Sequence, residues 1–243
     1  MKTRSPQSGL DTKLLNVCIC VPSNGMWMSD FGRCLVTAAM EFQNWQPPKE
    51  MGYTGRITQT LTADSSMLVR NRHDLVKASM KAGATHILFL DSDMKFPRDL
   101  IARMLLRNEV ILAANATQRR LPIKPIAHDF DGQLINSAER SGVEEVRQVG
   151  CAVMMIKREF FENVRPPYFL MDWTPDAESY SGEDIYFCAV AQEAGYKVMI
   201  DHDLSRDIEH MGFYSFGYKD IDSFGQVSAA DKLSKLAFYG GEE

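Results

Sequence analysis

The chain has 243 residues, of which 45% are hydrophobic and 24% are charged, and its formal net charge is −5. A chain of this size can bury one large core, or a core with a small annex. The negative charge excludes an overall basic footprint for nucleic acid but leaves a local basic groove open. The sequence has no apolar run of the ~18 residues that a membrane-spanning helix needs. Its polar first residues lack the apolar stretch of a signal peptide, so we expect a cytoplasmic protein.

Five cysteines are present, and no second pair of Cys or His follows Cys18 and Cys20 at the spacing of a zinc finger. An odd number of cysteines in apolar surroundings predicts reduced core thiols in a reducing compartment. A structural zinc site is the alternative.

Short apolar runs alternate with helical patterns over the first half of the chain. Strands are predicted at Leu15–Val21, Arg56–Leu61, His86–Leu90 and Val110–Ala114. Helices are predicted at Asp30–Phe42, from a cap at Asp64, Ser65 or Ser66 to Ala82, and from Pro97 to Arg107. This alternation is typical of an open α/β sheet.

The second half is less regular, and residues 116–148 show only short extended segments. Strands are predicted at Gln148–Lys157 and Lys197–Asp201, and helices at Arg158–Val164 and Glu183–Ala194. Residues 168–181 are predicted to form a loop rich in aromatic and acidic residues. The tail from His202 to Glu243 gives no assignable pattern.

Asp91-Ser92-Asp93 directly follows the predicted buried strand His86–Leu90. Ligands of open α/β sheets bind outside the carboxyl ends of the strands. Two carboxylates there favour a hard cation, Mg²⁺ or Mn²⁺, which would bridge to phosphate oxygens. A solvated turn before the helix at Pro97 is the alternative, because this short motif is weak evidence by itself.

Gly182-Glu183-Asp184 stands at the start of the helix predicted at Glu183–Ala194. Carboxylates are favoured at helix N-termini, so capping is the simpler explanation of these acids when they are taken alone. The second acid, which follows an aromatic loop, suggests a general base for an attacking hydroxyl.

Two further groups are candidates for the same chemistry. His210 could bind Mn²⁺ through neutral imidazole, and a turn in a packed tail is the alternative. Arg70-Asn71-Arg72-His73 lies on the helix before the Asp91-Ser92-Asp93 strand, and the arginine fork matches phosphate oxygens. We expect Arg72 to lie on a solvated helix face and Arg70 to lie beneath the apolar edge.

The order of these motifs resembles the GT-A glycosyltransferase fold, and within it the inverting family-two-like enzymes, including small ones from bacteria and phages. The resemblance spans about residues 15–215. The matching segments are Val21-Pro22-Ser23, Ser66 to Asn71, Ile87 to Met94, Gly150 to Arg158, Gly182 to Cys188, and His210-Met211-Gly212. Ser23 stands where a threonine is usual and Cys151 where a small or hydroxyl residue is common, which concerns donor recognition more than the fold.

The resemblance implies a metal-dependent transfer, with inversion, of a sugar from a nucleotide-diphosphate sugar, by default a UDP-sugar, to an acceptor hydroxyl. Asp184 would be the general base, and Glu183 would orient or bind the acceptor. Asp93 and His210 would hold Mn²⁺ or Mg²⁺, and Asp91 would contact the metal or the ribose. Donor-binding residues would be Pro22, Ser23, Asp64, Arg70, Asp91, Ser92, Gly150 and Cys151.

The expected fold class is therefore α/β. A single GT-A-like, Rossmann-like open sheet would be mostly parallel and flanked by helices, with a smaller antiparallel part on the acceptor side. The domain would cover residues 15–215, divided into a nucleotide-binding half at about 15–115 and an acceptor half at about 116–215. Residues 1–14 would be disordered or extended, and residues 216–243 would form a tail on or near the active site.

Three other functions share part of this pattern. A retaining glycosyltransferase would differ in the anomeric configuration of its product. A sugar nucleotidyltransferase would normally carry a Gly-rich basic loop after the first strand, and a nucleotide-sugar-binding module would lack catalysis. The acceptor is open among a saccharide, a lipid-linked glycan and hydroxymethylated DNA. Arg119, Arg120 and Lys124 lie in a loop that would face an anionic acceptor, with a solvated loop as the alternative.

Overall fold

The computed structural model describes residues 13–120, 122–174, 178–212 and 216–218. Its strands are β1 (Leu14–Pro22), β2 (Gly55–Ala63), β3 (His86–Leu90), β4 (Met94–Lys95), β5 (Ile111–Ala113), β6 (Val143–Glu145), β7 (Val153–Lys157), β8 (Asp172–Thr174), β9 (Ser179–Ser181), β10 (Met199–Asp201), β11 (Glu209–His210) and β12 (Phe216–Gly217). Its α-helices are α1 (Ser29–Asn44), α2 (Leu68–Lys81), α3 (Leu100–Arg107), α4 (Arg158–Asn163), α5 (Glu183–Glu193) and α6 (His202–Ser205).

In the described ranges, the central sheet has seven strands in the order β2-β1-β3-β7-β5-β10-β6. β1 pairs in parallel with β2 and β3, and β5 pairs in parallel with β10. β7 is antiparallel to both of its neighbours, β3 and β5, and β6 is antiparallel to β10. Five of these strands therefore run in the same direction, and two, β6 and β7, run in the opposite direction. The sheet is mixed but mostly parallel, and both reversed strands come from the second half of the chain. This is an α/β architecture consistent with the Rossmann-like sheet that the sequence predicts.

Helices cover both faces of the sheet, which explains why its inner strands are apolar without alternation. Along β1, Val17, Ile19 and Val21 pack into the core layer beneath α1 and α3, and Cys18 and Cys20 pack into the layer beneath α2 and α5. All five residues of β3 are buried. The five cysteines are buried as well, as the sequence predicts.

Several predicted boundaries are wrong. The N-cap of α2 is Met67, without a side-chain cap, rather than Asp64, Ser65 or Ser66. Ser65 instead hydrogen-bonds to Asn71. The predicted helix at Pro97 begins three residues later, and the strand predicted from Gln148 begins at Val153.

The predicted loop 168–181 contains a β-hairpin, in which β8 pairs with β9. Its rings Trp173 and Tyr180 pack edge to face, with their centroids 5.2 Å apart. This hairpin leads directly into α5.

A small antiparallel sheet with the order β12-β11-β4 connects the second half to the strand after Asp93. In its register, His210 lies opposite Met94. β12, at the start of the predicted tail 216–243, pairs with β11 and so forms the edge strand of this small sheet. Residues 1–12 and 219–243 lie outside the described residues. No helix in the described ranges is both long and apolar enough to cross a bilayer.

Candidate functional site

Two adjoining cavities lie at the carboxyl ends of β1 and β3. The smaller, of about 300 Å³, is lined by Pro22, Ser23, Asn24, Ser65, Ser66, Leu68, Asn71, Asp91, Ser92, Asp93 and Arg119. The larger, of about 540 Å³, is lined by Leu68, Arg72, Asp91, Thr117, Gln118, Arg119, Arg120, Ile126, Gly150, Cys151, Ala152, Gly182, Glu183, Asp184 and His210. We call them the β1 cavity and the α5 cavity. Most of the predicted site residues line one or both of them.

A third cavity, of about 590 Å³, lies at the opposite edge of the sheet, beside the first residue of β3 and the last residue of β7. It contains none of the predicted site residues. Its His86 is buried, and burial, with a smaller effect of Lys157, lowers the pKa of this imidazole to about 4. The size of this cavity alone does not make it the functional site, because the convergent carboxylates lie at the other edge.

Asn71 holds the wall of the β1 cavity together. Its side-chain amide donates to the carbonyl oxygens of Ser23 at 3.2 Å and Ser65 at 2.9 Å. Its Oδ1 accepts from the Ser65 backbone N–H at 3.0 Å and from the Ser65 hydroxyl at 2.6 Å. Asn71 therefore fixes the loops after β1 and β2 relative to α2, a positioning role that the sequence analysis did not assign.

Arg72, and not Arg70, points into the site. The Arg72 side chain is 2% exposed, whereas that of Arg70 is 69% exposed and pairs with Asp74 on the surface of α2. The expectation for these two arginines is therefore wrong in its placement of both. Arg70 lines neither cavity, and Asp64 is exposed beyond β2 and lines neither as well.

Arg72 connects two carboxylates that come from different halves of the chain. Its Nη2 donates to Asp91 Oδ1 at 3.1 Å, and its Nε donates to Glu183 Oε1 at 3.1 Å. The guanidinium lies over the rings of Phe89 and Phe169, at 5.3 and 6.0 Å from their centroids. Burial works against its charge, but the carboxylates, Asp91 first, outweigh burial and raise the pKa of Arg72.

Asp91 is thus engaged by an arginine, although its side chain remains 27% exposed. Burial raises the pKa of its carboxyl, the charge of Arg72 opposes this rise, and the Asp93 and Glu183 carboxylates add to it. A carboxylate already bonded to a buried arginine has less capacity for a metal.

Asp93 and His210 are brought together by the pairing of β4 with β11. His210 Nε2 lies 3.5 Å from Asp93 Oδ2, and the Met211 N–H donates to the Asp93 carbonyl at 2.7 Å. The same Oδ2 accepts an ion pair from Arg119 Nη1 at 2.7 Å. Burial alone would raise the pKa of Asp93, but the hydrogen bond and charge of His210, followed by the charge of Arg119, lower it.

The hydrogen bond at Nδ1 of His210 determines which tautomer the ring adopts, and so whether Nε2 can bind a metal. His210 Nδ1 lies 2.8 Å from the Thr117 carbonyl oxygen, which can only accept, so the proton is assigned to Nδ1. The neutral form of the ring presents the Nε2 lone pair toward Asp93 and can bind a cation there, whereas the protonated form donates its Nε2–H to Asp93 instead. Metal-binding histidines almost always donate their other N–H to a carbonyl or carboxylate in this way.

These two side chains fit a divalent cation as a partial set of ligands. Two cis ligands of an octahedral Mg²⁺ at about 2.1 Å are about 3 Å apart, close to the 3.5 Å between Nε2 and Oδ2. In the described part of the chain, no three His, Cys, Asp or Glu side chains are grouped as a metal site. A cation here would therefore need phosphate oxygens and water to complete its coordination, as Mg²⁺ commonly does in phosphate sites.

Glu183 and Asp184 are adjacent but have different surroundings. Glu183 is held by Arg72, whereas no Lys, Arg or His of the described residues forms an ion pair with Asp184. Asp184 Oδ1 accepts from the Ile185 N–H at 2.8 Å. Burial, followed by the charge of Glu183, raises the pKa of Asp184. Asp184 is thus the carboxylate of this pair that forms no ion pair with a described residue, and it is suited to accept a proton.

Two glycines leave room for the Asp184 carboxylate. A Cβ at Gly182 would lie 2.5 Å from Asp184 Oδ1, and one at Gly150 would lie 3.4 Å from its Oδ2 and 2.6 Å from Ile126 Cδ1. Cys151 follows Gly150, and its buried thiol has a pKa raised well above the usual value, chiefly by burial. Cys151 therefore contributes a neutral wall to the α5 cavity.

No protein-family model matches the sequence, and no curated protein matches it. The fold does match solved structures, among them the crystal structure of A197 from STIV. That match has a TM-score of 0.52 and 15% sequence identity, and it covers 81% of this chain and 85% of that chain. At this identity the likeness concerns the fold alone.

Proposed function

We propose that the protein is a metal-dependent, inverting glycosyltransferase of the GT-A type that transfers a sugar from a nucleotide-diphosphate sugar, by default a UDP-sugar. The observation that carries this proposal is the composition of the α5 cavity. It joins Asp91 and His210, on the side where a phosphate-bound cation would sit, to Asp184, a carboxylate without a cationic partner among the described residues. In this proposal, the leaving diphosphate and the base that activates the acceptor would therefore face the same cavity.

Mn²⁺ or Mg²⁺, held by Asp93 and His210, would neutralise the charge that develops on the leaving diphosphate. The β1 cavity lies beside this pair and is lined by Pro22, Ser23 and Ser92. We assign the nucleoside to it, since its volume is at the lower end of ligand pockets, at roughly 300 Å³. Asp91 would then reach the ribose while it remains bonded to Arg72.

Asp184 would remove the proton from the attacking hydroxyl. Its raised pKa suits this task, because a base works best when its pKa approaches the operating pH. Glu183, anchored by Arg72, would orient the acceptor rather than exchange protons. Gly150 and Cys151 would form the wall beside the transferred sugar. Attack from the Asp184 side, opposite the diphosphate, would invert the anomeric configuration.

The acceptor would enter beside the β8–β9 hairpin. Trp173 and Tyr180 are 49% and 64% exposed, and the hairpin continues into Gly182 and the base. Exposed aromatic rings are common where a ligand with an apolar face binds. A sugar ring has such a C–H face, so a saccharide is the first acceptor to test, before a lipid-linked glycan or hydroxymethylated DNA.

The experiment is a thermal-shift screen of nucleotide-sugars with Mn²⁺, followed by turnover assays with each donor that stabilises the protein. Asp184→Asn should retain donor binding and lose hydrolysis and transfer. Normal turnover by this variant would contradict the base assignment, and normal turnover of the wild type in EDTA would contradict the metal assignment. The anomeric configuration of the product, read by NMR, separates the inverting from the retaining mechanism.

A nucleotide-sugar-binding module is the rival that this experiment also separates. Such a module would be stabilised by a donor but would release no free nucleotide in the wild type. A sugar nucleotidyltransferase would release pyrophosphate from a nucleoside triphosphate and a sugar phosphate. The loop after β1, Ser23 to Met28, contains no lysine or arginine, which disfavours that reaction.

A further inference from the structure

We infer that Arg119 is an exchangeable counterion, which holds the Asp93 carboxylate until the divalent cation binds there and then binds the diphosphate of the donor. This inference rests on the proposed function and adds to it a residue and an order of binding. From the sequence, Arg119 is expected in a loop that would face the acceptor, whereas the structure places its guanidinium at Asp93.

Arg119 and a metal would compete for one oxygen of Asp93. Arg119 Nη1 lies 2.7 Å from Asp93 Oδ2, and His210 Nε2 lies 3.5 Å from the same oxygen. The lone pair of Nε2 and Oδ2 are the two protein ligands that fit a cation. A guanidinium at 2.7 Å from Oδ2 already neutralises the negative charge that a metal ion would bind. Arg119 and the metal therefore cannot both interact fully with Oδ2 at the same time.

Arg119 is held weakly enough to leave Asp93. Its side chain is 47% exposed, and its other hydrogen bond within the described part of the chain, to the Met211 carbonyl oxygen, is long at 3.5 Å. Arg72 is the contrasting case, since it is 2% exposed and bonded to two carboxylates. Ion pairs with this much exposure are worth little, so a divalent cation can displace Arg119.

After it leaves Asp93, Arg119 would still lie within reach of the donor. It lines both the β1 cavity and the α5 cavity, and so it stands where nucleoside and sugar would be joined by phosphate. An arginine guanidinium can bind a phosphate group through two parallel hydrogen bonds. Once a cation replaces it at Asp93, the positive charge of Arg119 lacks a partner there, and the diphosphate supplies one.

The consequence is that the metal prepares the site for the donor in two ways. It offers coordination to the phosphates, and it releases Arg119 to bind them. Part of the coupling between Mn²⁺ and UDP therefore depends on Arg119, and by linkage UDP strengthens Mn²⁺ binding by the same factor.

The test is to measure two affinities of the full chain by calorimetry, that of Mn²⁺ alone and that of UDP at saturating Mn²⁺. Arg119→Gln should lower the Kd of Mn²⁺ about two- to fivefold, because a competing ion pair is removed. The same variant should raise the Kd of UDP about tenfold or more, because a charge-assisted contact is lost. Arg119→Lys keeps the charge without the fork, and it should leave Mn²⁺ affinity near that of the wild type and weaken UDP less.

Lys124→Gln is the matched control, because it removes one positive charge from the same loop at an exposed residue that lines neither cavity. Both of its affinities should equal those of the wild type. Opposite changes in the two affinities of Arg119→Gln are not expected from a local loss of structure, which would weaken both.

Mn²⁺ affinity that is unchanged or weaker in Arg119→Gln would overturn the exchange. UDP affinity that is unchanged in this variant would overturn the diphosphate contact. Both results presuppose a wild type that binds Mn²⁺ and UDP. A wild type that binds neither would overturn the proposed function itself, and the inference with it.

Discussion

Arg72 and Glu183 are 111 residues apart in the sequence, yet the Nε of Arg72 donates to Glu183 Oε1 at 3.1 Å. The same guanidinium bonds to Asp91, so one buried cation joins the helix before the site, the strand that enters it and the helix that carries the proposed base. Arg72 thereby sets the distance between the phosphate side and the acceptor side of the α5 cavity.

Replacing Arg72 should destabilise the protein strongly. Arg72→Met leaves two carboxylates in a mostly buried site without their cation, and breaking buried pairs of this kind costs about 3–5 kcal/mol. We expect the lower end of that range, since the Asp91 side chain is 27% exposed. Urea denaturation of Arg72→Met and of Arg70→Met measures the difference. Arg70, in an exposed i,i+4 pair, should cost about 0.5 kcal/mol or less. Equal losses of unfolding free energy in the two variants would mean that the buried Arg72 pairs contribute no more than the exposed Arg70 pair.

The helical period of α2 contains the information that distinguishes the two arginines. The buried residues Arg72, Leu75, Val76 and Ser79 follow an i, i+3, i+4, i+7 pattern. The sequence interpretation instead placed Arg70 beneath the apolar edge, although it lies two positions before Arg72, which is about 200° around a helix. A strict count of the period would have turned Arg72 inward and Arg70 outward.

Other parts of the site depend on contacts that no local pattern reveals. The strand His86–Leu90 and the acids after it are predictable, because a continuous apolar run indicates burial on both faces. The insertion of β7 between β3 and β5, by contrast, is a matter of tertiary pairing. The ion pair of Arg119 with Asp93 likewise arises only when the loop after β5 folds back over the site.

Asp184→Asn should abolish transfer while it retains the fold and donor binding. General bases contribute about 10²- to 10⁴-fold to the rate, so the turnover number should fall by that amount. Glu183→Gln is the comparison, because it removes the negative charge that pairs with Arg72 while it keeps an oxygen that can accept from Nε, and it should lower stability as well. Single-turnover rates and UDP affinities of both variants test this. Weaker UDP binding by Asp184→Asn would show that Asp184 belongs to the donor side.

The pH dependence of stability should reveal the state of Asp184. Its folded-state pKa is raised, chiefly by burial, so its ionised form is disfavoured in the folded protein. The stabilising contribution of the neutral form is complete below the unfolded pKa and is lost as the pH rises through the folded pKa. The free energy of unfolding of the wild type, relative to Asp184→Asn, should therefore rise on acidification. A difference that is constant with pH would contradict the raised pKa.

The transfer rate should fall over the same acidic range, because the base becomes protonated.

Mn²⁺ should stabilise the wild type through Asp93 and His210. A ligand at a hundred times its Kd stabilises the folded state by about 2.7 kcal/mol, which raises Tm measurably. Asp93→Asn and His210→Ala should each lose most of this shift, with Mn²⁺ affinity reduced at least about tenfold. Asp131→Asn, at an exposed turn, is the control and should shift as the wild type does. A full Mn²⁺ shift in Asp93→Asn would place the metal elsewhere.

Gly182→Ala should impair catalysis more than it impairs folding. The backbone of Gly182, at φ −67° and ψ 158°, suits any residue, so alanine adds no backbone strain. Its Cβ would, however, lie 2.5 Å from Asp184 Oδ1, and the carboxylate must rotate away. General-base catalysis requires the carboxylate to lie within hydrogen-bond distance of the proton it removes, so we expect a displaced base to lower the transfer rate about tenfold or more.

Gly32→Ala is the control. Nothing lies within 4 Å of its added Cβ inside α1, and the change should stabilise the protein by about 1 kcal/mol with activity unchanged. Full activity in Gly182→Ala would mean that the position of Asp184 does not limit the reaction.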